Sequence, residues 1–317
     1  MSRSADRPDR RVAAPPPSLW SRITKASARD IVDDGVPRWL AWQVFWAPIA
    51  GAVLLVTLFA VSRPSYYEVL AEDRPVEWLQ FALCLMTALF GLAAARRLAV
   101  RRQFAAAGAL LLVGLGSFFL AGEEISWAQR VFAFGTPEQL ASTNSQEEFN
   151  LHNLHAVGFD VQDMFKIFSF LLGLGGVALT LATRGRRPWL TGRFWLLVSP
   201  PLYALPGFLG MVLYRPFRLL DIAYMPVLKF QEWVETALFL SMAVTAYVIY
   251  LRSARSALPV TPAEGASSSA DAGTAVGLAG RTGTRPLVIA VCVVAVTVVF
   301  AALTAHHGIA PGNPVPR

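Results

Sequence analysis

Charge is what this chain has least of. Only 15% of its 317 residues are Asp, Glu, Lys or Arg, against 55% apolar, too few to cover the surface of a soluble domain of this length. Cysteine is almost absent: Cys84 and Cys292 each stand alone inside an apolar run, which excludes a disulfide framework and a zinc ribbon. The N-terminal residues lack the basic, apolar and small-residue order of a signal peptide. No inverted internal repeat of the kind found in many secondary transporters is visible. Neither of the last two long apolar segments contains a lysine, which removes a retinal Schiff base and with it a rhodopsin-like chain.

What is present reads as an all-α, polytopic integral membrane protein. Stretches long enough to cross roughly 30 Å of hydrocarbon run over 41–62, 76–95, 104–121, 160–183, 194–214, 231–251 and 287–305, predicting seven transmembrane helices. Trp39, Trp42 and Trp46 at the entry of the first, and Trp78, Trp195 and Trp233 near the ends of others, form an aromatic belt. Residues 1–37 are polar and proline-rich and 253–285 are a small-residue linker, so both are expected to be disordered. Between them, 38–252 form a six-helix body with a helical outer loop at 123–158, and 286–317 carry the seventh helix and a short outer tail.

The net charge of +7 would raise the question of nucleic acid in a soluble protein, but the basic residues sort by loop. Residues 1–38 hold eight of them, and four arginines each follow the second, fourth and sixth helices, whereas the alternate side holds eight basic against fourteen acidic residues. The positive-inside rule then places the N-terminus in the cytoplasm and the C-terminus outside, with no nucleic-acid partner. Oligomeric state is not encoded in any pattern here.

Ionisable residues collect at the outer helix ends. Glu77 opens the second helix, Glu123 and Glu124 close the third, and Gln231, Glu232 and Glu235 open the sixth. Glu123, Ser126 and Arg130 share a helical face, so one glutamate can pair with Arg130 and leave the other as a general acid or base; partial withdrawal from water suits a carboxyl to that task near neutrality. Thr136 and Pro137 look like a helix start, and Ser145 with Glu148 like another. A helix running from there into the fourth span would align Glu148, His152, His155, Gln162 and Lys166 on one face.

Lys166, one turn from Asp163, is either half of a structural ion pair or a cation that stabilises negative charge in a substrate. His152 and His155 stand in an HxxH spacing. Two hydrogen-bonded caps are the commoner outcome of that spacing. The alternative is a divalent metal, zinc, iron or manganese, held with Glu148, Asp163, Glu232 and Glu235. Asn150 and Asn153 are placed to orient an imidazole. Arg215 and Arg218 read as interfacial anchors. The candidate catalytic residues are thus Glu123, Glu124, His152 and Lys166, and Arg130, Asn153, Glu77 and Gln231 are candidates for substrate contact.

The run GEEISWAQRVFAFGTPE followed by NLHNL resembles a group of uncharacterised bacterial multi-span proteins with a GEEISWxQR and NLHN signature, over the stretch from EDRPVEW to QEWVE. The resemblance implies a bacterial cytoplasmic membrane. A looser likeness joins the Glu123–Glu124 pair and the two histidines to intramembrane glutamic proteases of the CAAX-processing kind, although Arg130 sits two turns after the pair rather than one. GLGS in the third span is similar to alkaline ceramidases, whose several membrane histidines are missing here. The leading expectation is a membrane enzyme, hydrolase or transferase, acting on a lipid or lipid-linked substrate at the outer leaflet. A proton- or cation-coupled carrier, and a non-catalytic subunit of an envelope complex, are the alternatives.

Overall fold

Helices follow the apolar runs, and several of them start or stop at a serine, a proline or a glycine. The computed structural model describes residues 18–144, 147–151, 154–156, 159–184, 193–220, 224–255 and 271–307. Helix α1 (Leu19–Asp34) begins at Ser18, whose hydroxyl accepts the Ser21 amide, and ends on Gly35 in the left-handed region. It is followed by α2 (Arg38–Val61) and the short α3 (Arg63–Val69). Helix α4 (Pro75–Val100) has proline and Glu77 in its first turn and Arg97 in its last, the order the helix dipole favours.

After α5 (Phe104–Glu124) come two single turns, α6 (Gln129–Phe132) and α7 (Glu138–Ala141), and a two-residue antiparallel ladder, β1 (His155–Ala156) with β2 (Phe159–Asp160). The chain continues through α8 (Val161–Arg184), α9 (Arg193–Val198), α10 (Leu205–Leu219), α11 (Met225–Arg255) and α12 (Asp271–His306).

Among the described residues, six helices are long and apolar enough to cross a membrane: α2, α4, α5, α8, α11 and the Arg285–His306 part of α12. The chain is therefore an all-helical, multi-pass membrane protein. Helices α4 and α11 form its centre, with 61% and 67% of their apolar windows buried, while α8 and α12 are buried over only 11%. Against α4 lies α5, with Gly91 and Gly114 facing each other where the backbones approach. On its other side α4 meets α11, and Gln80 Nε2 donates to the Glu232 carbonyl at 2.7 Å. The core between α4, α10 and α11 holds Phe81, Leu83, Met211, Tyr214, Leu238 and Phe239.

Four expectations from sequence need correction. The stretch 1–37 is not uniformly irregular, because 19–34 forms α1, which buries Ile31 and carries two acids to the bundle. Asp30 pairs with Arg184 and accepts the Leu202 amide at 2.6 Å, and Asp34 accepts Arg252 Nε at 2.8 Å. Burial lifts the Asp34 carboxyl above its ordinary range while Arg252 pulls the other way.

The predicted span 194–214 is not one helix. Pro200 and Pro201 supply no amide hydrogens and disrupt the ladder of hydrogen bonds, so α9, a 3-10 turn at Leu202–Ala204 and α10 replace it. Of the 253–285 linker, 256–270 lie outside the described residues, 253–255 end α11, and 271–285 belong to α12. Finally, the 123–158 loop is not a helical lead into the fourth span: α8 starts only at Val161, and His155 is paired in register with Asp160. The stripe from Glu148 through His155 and Gln162 to Lys166 is therefore not formed.

The tight seam between α10 and α11 has a direct test. A Cβ on Gly207 would run into the Ala237 carbonyl and the Ser241 hydroxyl, whereas one on Gly210 meets nothing within 4 Å. Gly207→Ala should therefore lower stability by about 2 kcal/mol, and Gly210→Ala should leave it unchanged or raise it by up to about 1 kcal/mol, both measured by unfolding in one detergent.

Candidate functional site

Helix α5 stops at Glu124 because the next residues leave helical space. Ser126, Trp127 and Ala128 all take left-handed conformations, with φ of 47°, 53° and 63°, at a cost of about 1 kcal/mol or more each. The stretch 123–130 is thus not one helical face, and Glu123 does not reach Arg130. The turn is held by side chains instead. Glu123 accepts Trp127 Nε1 at 2.6 Å through one oxygen and the Leu151 amide at 2.7 Å through the other. Gln129 donates to Thr136 Oγ1 at 2.6 Å and accepts the Phe149 amide at 2.8 Å. Thr136, expected to cap a helix, donates to the Glu147 carbonyl at 2.5 Å.

Arg130 is the centre of this arrangement. Its side chain is 6% exposed; Nη2 lies 2.9 Å from Glu148 Oε1 and Nη1 2.9 Å from Asp73 Oδ2. The second Glu148 oxygen accepts Ser126 Oγ at 2.7 Å and Asn150 Nδ2 at 2.8 Å. Three separate stretches of chain, around 73, 126–130 and 148–150, are joined here. Burial works against the Arg130 charge, and the bond to Glu148 with the field of Asp73 more than offsets it, so Arg130 holds its proton more firmly than usual. For Asp73, burial outweighs the pull of Arg130 and raises its carboxyl above the ordinary value.

Beside this knot lies a cavity of about 270 Å³, walled by the ends of α4, α5, α8 and α11 and by Leu70, Ala71 and Glu72. Seven glutamates line it, Glu72, Glu77, Glu123, Glu124, Glu148, Glu232 and Glu235, with two lysines, Lys166 and Lys229. Several of these are committed elsewhere. Glu77 accepts the Asp73 amide, and Glu235 accepts Gln231 Nε2 at 2.8 Å and Arg215 Nη2 at 3.1 Å. Lys166 pairs with Asp163 at 2.7 Å, its own side chain 13% exposed and that of Asp163 64%. Glu124 differs: it lines the cavity, and among the described residues its carboxyl has no hydrogen bond or ion pair. Glu77, Glu232 and Glu235 line the same cavity.

Arg215 was expected at the interface and lies wholly buried instead, joining three helices behind the cavity. Besides Glu235, it donates to Ser169 Oγ on α8 at 2.5 Å, and Gln231 of α11 also accepts Arg218 Nε at 3.1 Å. The available signal was its position, directly after the apolar run 194–214 and one residue before Pro216.

Of the candidate residues, Glu77, Glu123, Glu124, Glu148, Lys166, Gln231, Glu232 and Glu235 all reach this cavity. Glu123 and Arg130 are both engaged in holding the turn. His152 and Asn153 lie outside the described residues, as does the side chain of His155. Among the described residues, no three His, Cys, Asp or Glu side chains group to hold a metal. Glu148 is taken by Arg130 and Asp163 pairs with Lys166, while Glu232 and Glu235 line the cavity; the two histidine side chains of the expected ligand set lie outside the described residues.

Two consequences separate scaffold from free group. Arg130→Ala leaves two buried carboxyls without their counter-charge and should cost about 3–5 kcal/mol, while Glu124→Gln should stay within about 0.5 kcal/mol of wild type, by unfolding in one detergent. Equal losses would put Glu124 in the scaffold. Because Asp73 has a raised pKa, its contribution to stability is complete below its ordinary value of 3.8 and is lost as pH rises through the raised value. Asp73→Asn should remove that decline from a plot of unfolding temperature against pH.

Comparison with protein-family models, with curated proteins and with solved structures gave no match to this chain.

Proposed function

We propose that this protein is an integral membrane enzyme in which Glu124 transfers a proton to or from a lipid or lipid-linked substrate. The observation that carries this is the contrast within GEEISWAQR: its other charged groups, Glu123 and Arg130, are engaged in holding a strained turn, and Glu124 lies on the cavity with no partner among the described residues. Glu77, Glu232 and Glu235 complete the acidic wall. Lys166, on the opposite wall, reaches the cavity from its pair with Asp163 and places a cation there to meet negative charge developing on the substrate.

The surroundings of the cavity favour access from the bilayer. Between α5 and α8 the wall is apolar, with Leu120, Phe165, Phe168 and Leu172, and Phe168 is 52% exposed on the outer face of the bundle. Phe165 stacks on Phe119 at 6.4 Å across the same seam. With seven carboxyls against two lysines, a phosphate headgroup is disfavoured, and a neutral or amine-bearing headgroup fits the field better.

The cavity belongs on the outer side of the membrane. Support comes from the arginines gathered at the other end with α1, and from the α9–α10 segment, which reaches from Arg252 at that end to Glu235 at this one. Counted as a crossing, it makes seven spans with the termini on opposite sides. A bacterial cytoplasmic membrane fits this arrangement.

The acid excess also favours a second reading, a cation or proton carrier. Against it, the break between α9 and α10, at 199–202, contacts α1 and Arg252 rather than the cavity, unlike the half-helix termini that line carrier sites.

The test is incubation of the purified protein with total membrane lipid, followed by mass spectrometry of lipid species. Wild type should convert at least one class, and Glu124→Gln should slow that conversion by about 100-fold or more at unchanged stability. Equal conversion by the variant would remove Glu124 from the chemistry. Absence of any conversion, with cation flux in proteoliposomes that Glu124→Gln abolishes, would transfer the site to a carrier.

A further inference from the structure

The opposite end of the molecule holds a second cavity, of about 590 Å³, between the end of α4 and the start of the apolar part of α12, with Tyr250 of α11 at its back. Arg96, Arg97, Arg101 and Arg285 line it, and among the described residues no carboxylate does. Two of the four are held by the protein. Arg97 donates to the Tyr250 hydroxyl at 2.7 Å and to its carbonyl at 3.1 Å, with its guanidinium 3.8 Å from the ring centre, and Arg101 donates to the Ser253 carbonyl. Arg96 and Arg285 have no hydrogen bond or ion pair among the described residues.

Four like charges around one hollow repel each other, and the two unpartnered guanidiniums offer forked donors that match phosphate oxygens. The remaining wall is aliphatic: Val100 is 80% and Val288 57% exposed on the outer face. Arg285 stands where the apolar run of α12 begins and Arg96 to Arg101 where that of α4 ends, so the hollow lies at the level where hydrocarbon meets water.

We propose that this cavity binds the phosphate of an anionic phospholipid, with Arg96 and Arg285 as its donors and Val100 and Val288 beside its acyl chains. Such a lipid bridges α4 and α12. The same donors would also take free phosphate, and the test separates the two sources.

Full-length protein is reconstituted into phosphatidylcholine vesicles carrying a trace of spin-labelled phosphatidylglycerol or spin-labelled phosphatidylcholine, and the immobilised fraction is read by electron paramagnetic resonance. Wild type should prefer the phosphatidylglycerol label. Arg96→Gln with Arg285→Gln should reduce the preference by about fivefold or more, and the double lysine variant, which keeps charge but loses the fork, should fall between them. A wild type without preference, or a preference unchanged in either double variant, overturns the assignment. If the glutamine pair fails to fold, the lysine pair alone decides by the same criterion. Displacement of the label by inorganic phosphate, beyond that by chloride at equal ionic strength, assigns the site to soluble phosphate and overturns the lipid.

Discussion

The ion pairs of Arg130 with Glu148 and Asp73 are the constraint on which the acidic end depends. A guanidinium buried this deeply is tolerated only while both carboxyls face it, because desolvation of an unpaired charge costs several kcal/mol. Those two acids come from different loops, so the requirement fixes where each loop runs. It also fixes the end of α5, since the left-handed residues 126–128 are affordable only inside this network. The position of Glu124 is thus an outcome of the Arg130 geometry, one helical residue before the turn that Arg130 holds.

The two ends of the bundle solve opposite electrostatic problems. At one, α1 brings Asp30 and Asp34 to Arg184 and Arg252, so that part of the arginine excess is neutralised within the protein. At the other, Arg130 and Arg215 are sunk among carboxyls, one in the loop knot and one between α8, α10 and α11. Each buried arginine is paired with a glutamate of the cavity wall, Glu148 or Glu235, and so offsets part of the negative field there.

Six of the seven apolar runs were legible as helices because hydropathy over twenty residues responds to composition alone, with no knowledge of partners. The gathering of Glu77, Glu124, Glu232 and Glu235 at one end was legible for the same reason: helix ends of known direction must meet at a common depth. What escaped was set by contacts distant in sequence. Nothing near Ser126 announces three consecutive left-handed residues, which are stabilised by Glu148 and Leu151 more than twenty positions away. Arg215 looked like an anchor because its partners Ser169 and Glu235 lie on other helices. Helix α1 was obscured by averaging its residues with the proline-rich stretch before it. The prolines at 200 and 201 were in plain view, but an apolar window does not register a missing amide hydrogen.

Helix α8 is seated on α10 through Gly173 and Gly176, against Met211 and Phe208, while most of its surface faces outward. The Met211 and Phe208 side chains occupy the hollows that these two glycines leave, and Arg215 of α10 bonds Ser169 of α8, so the seam is interlocked against rolling as well as separation. A side chain added at Gly176 would wedge α8 off the bundle and carry its wall of the cavity, Lys166 included, away from Glu124.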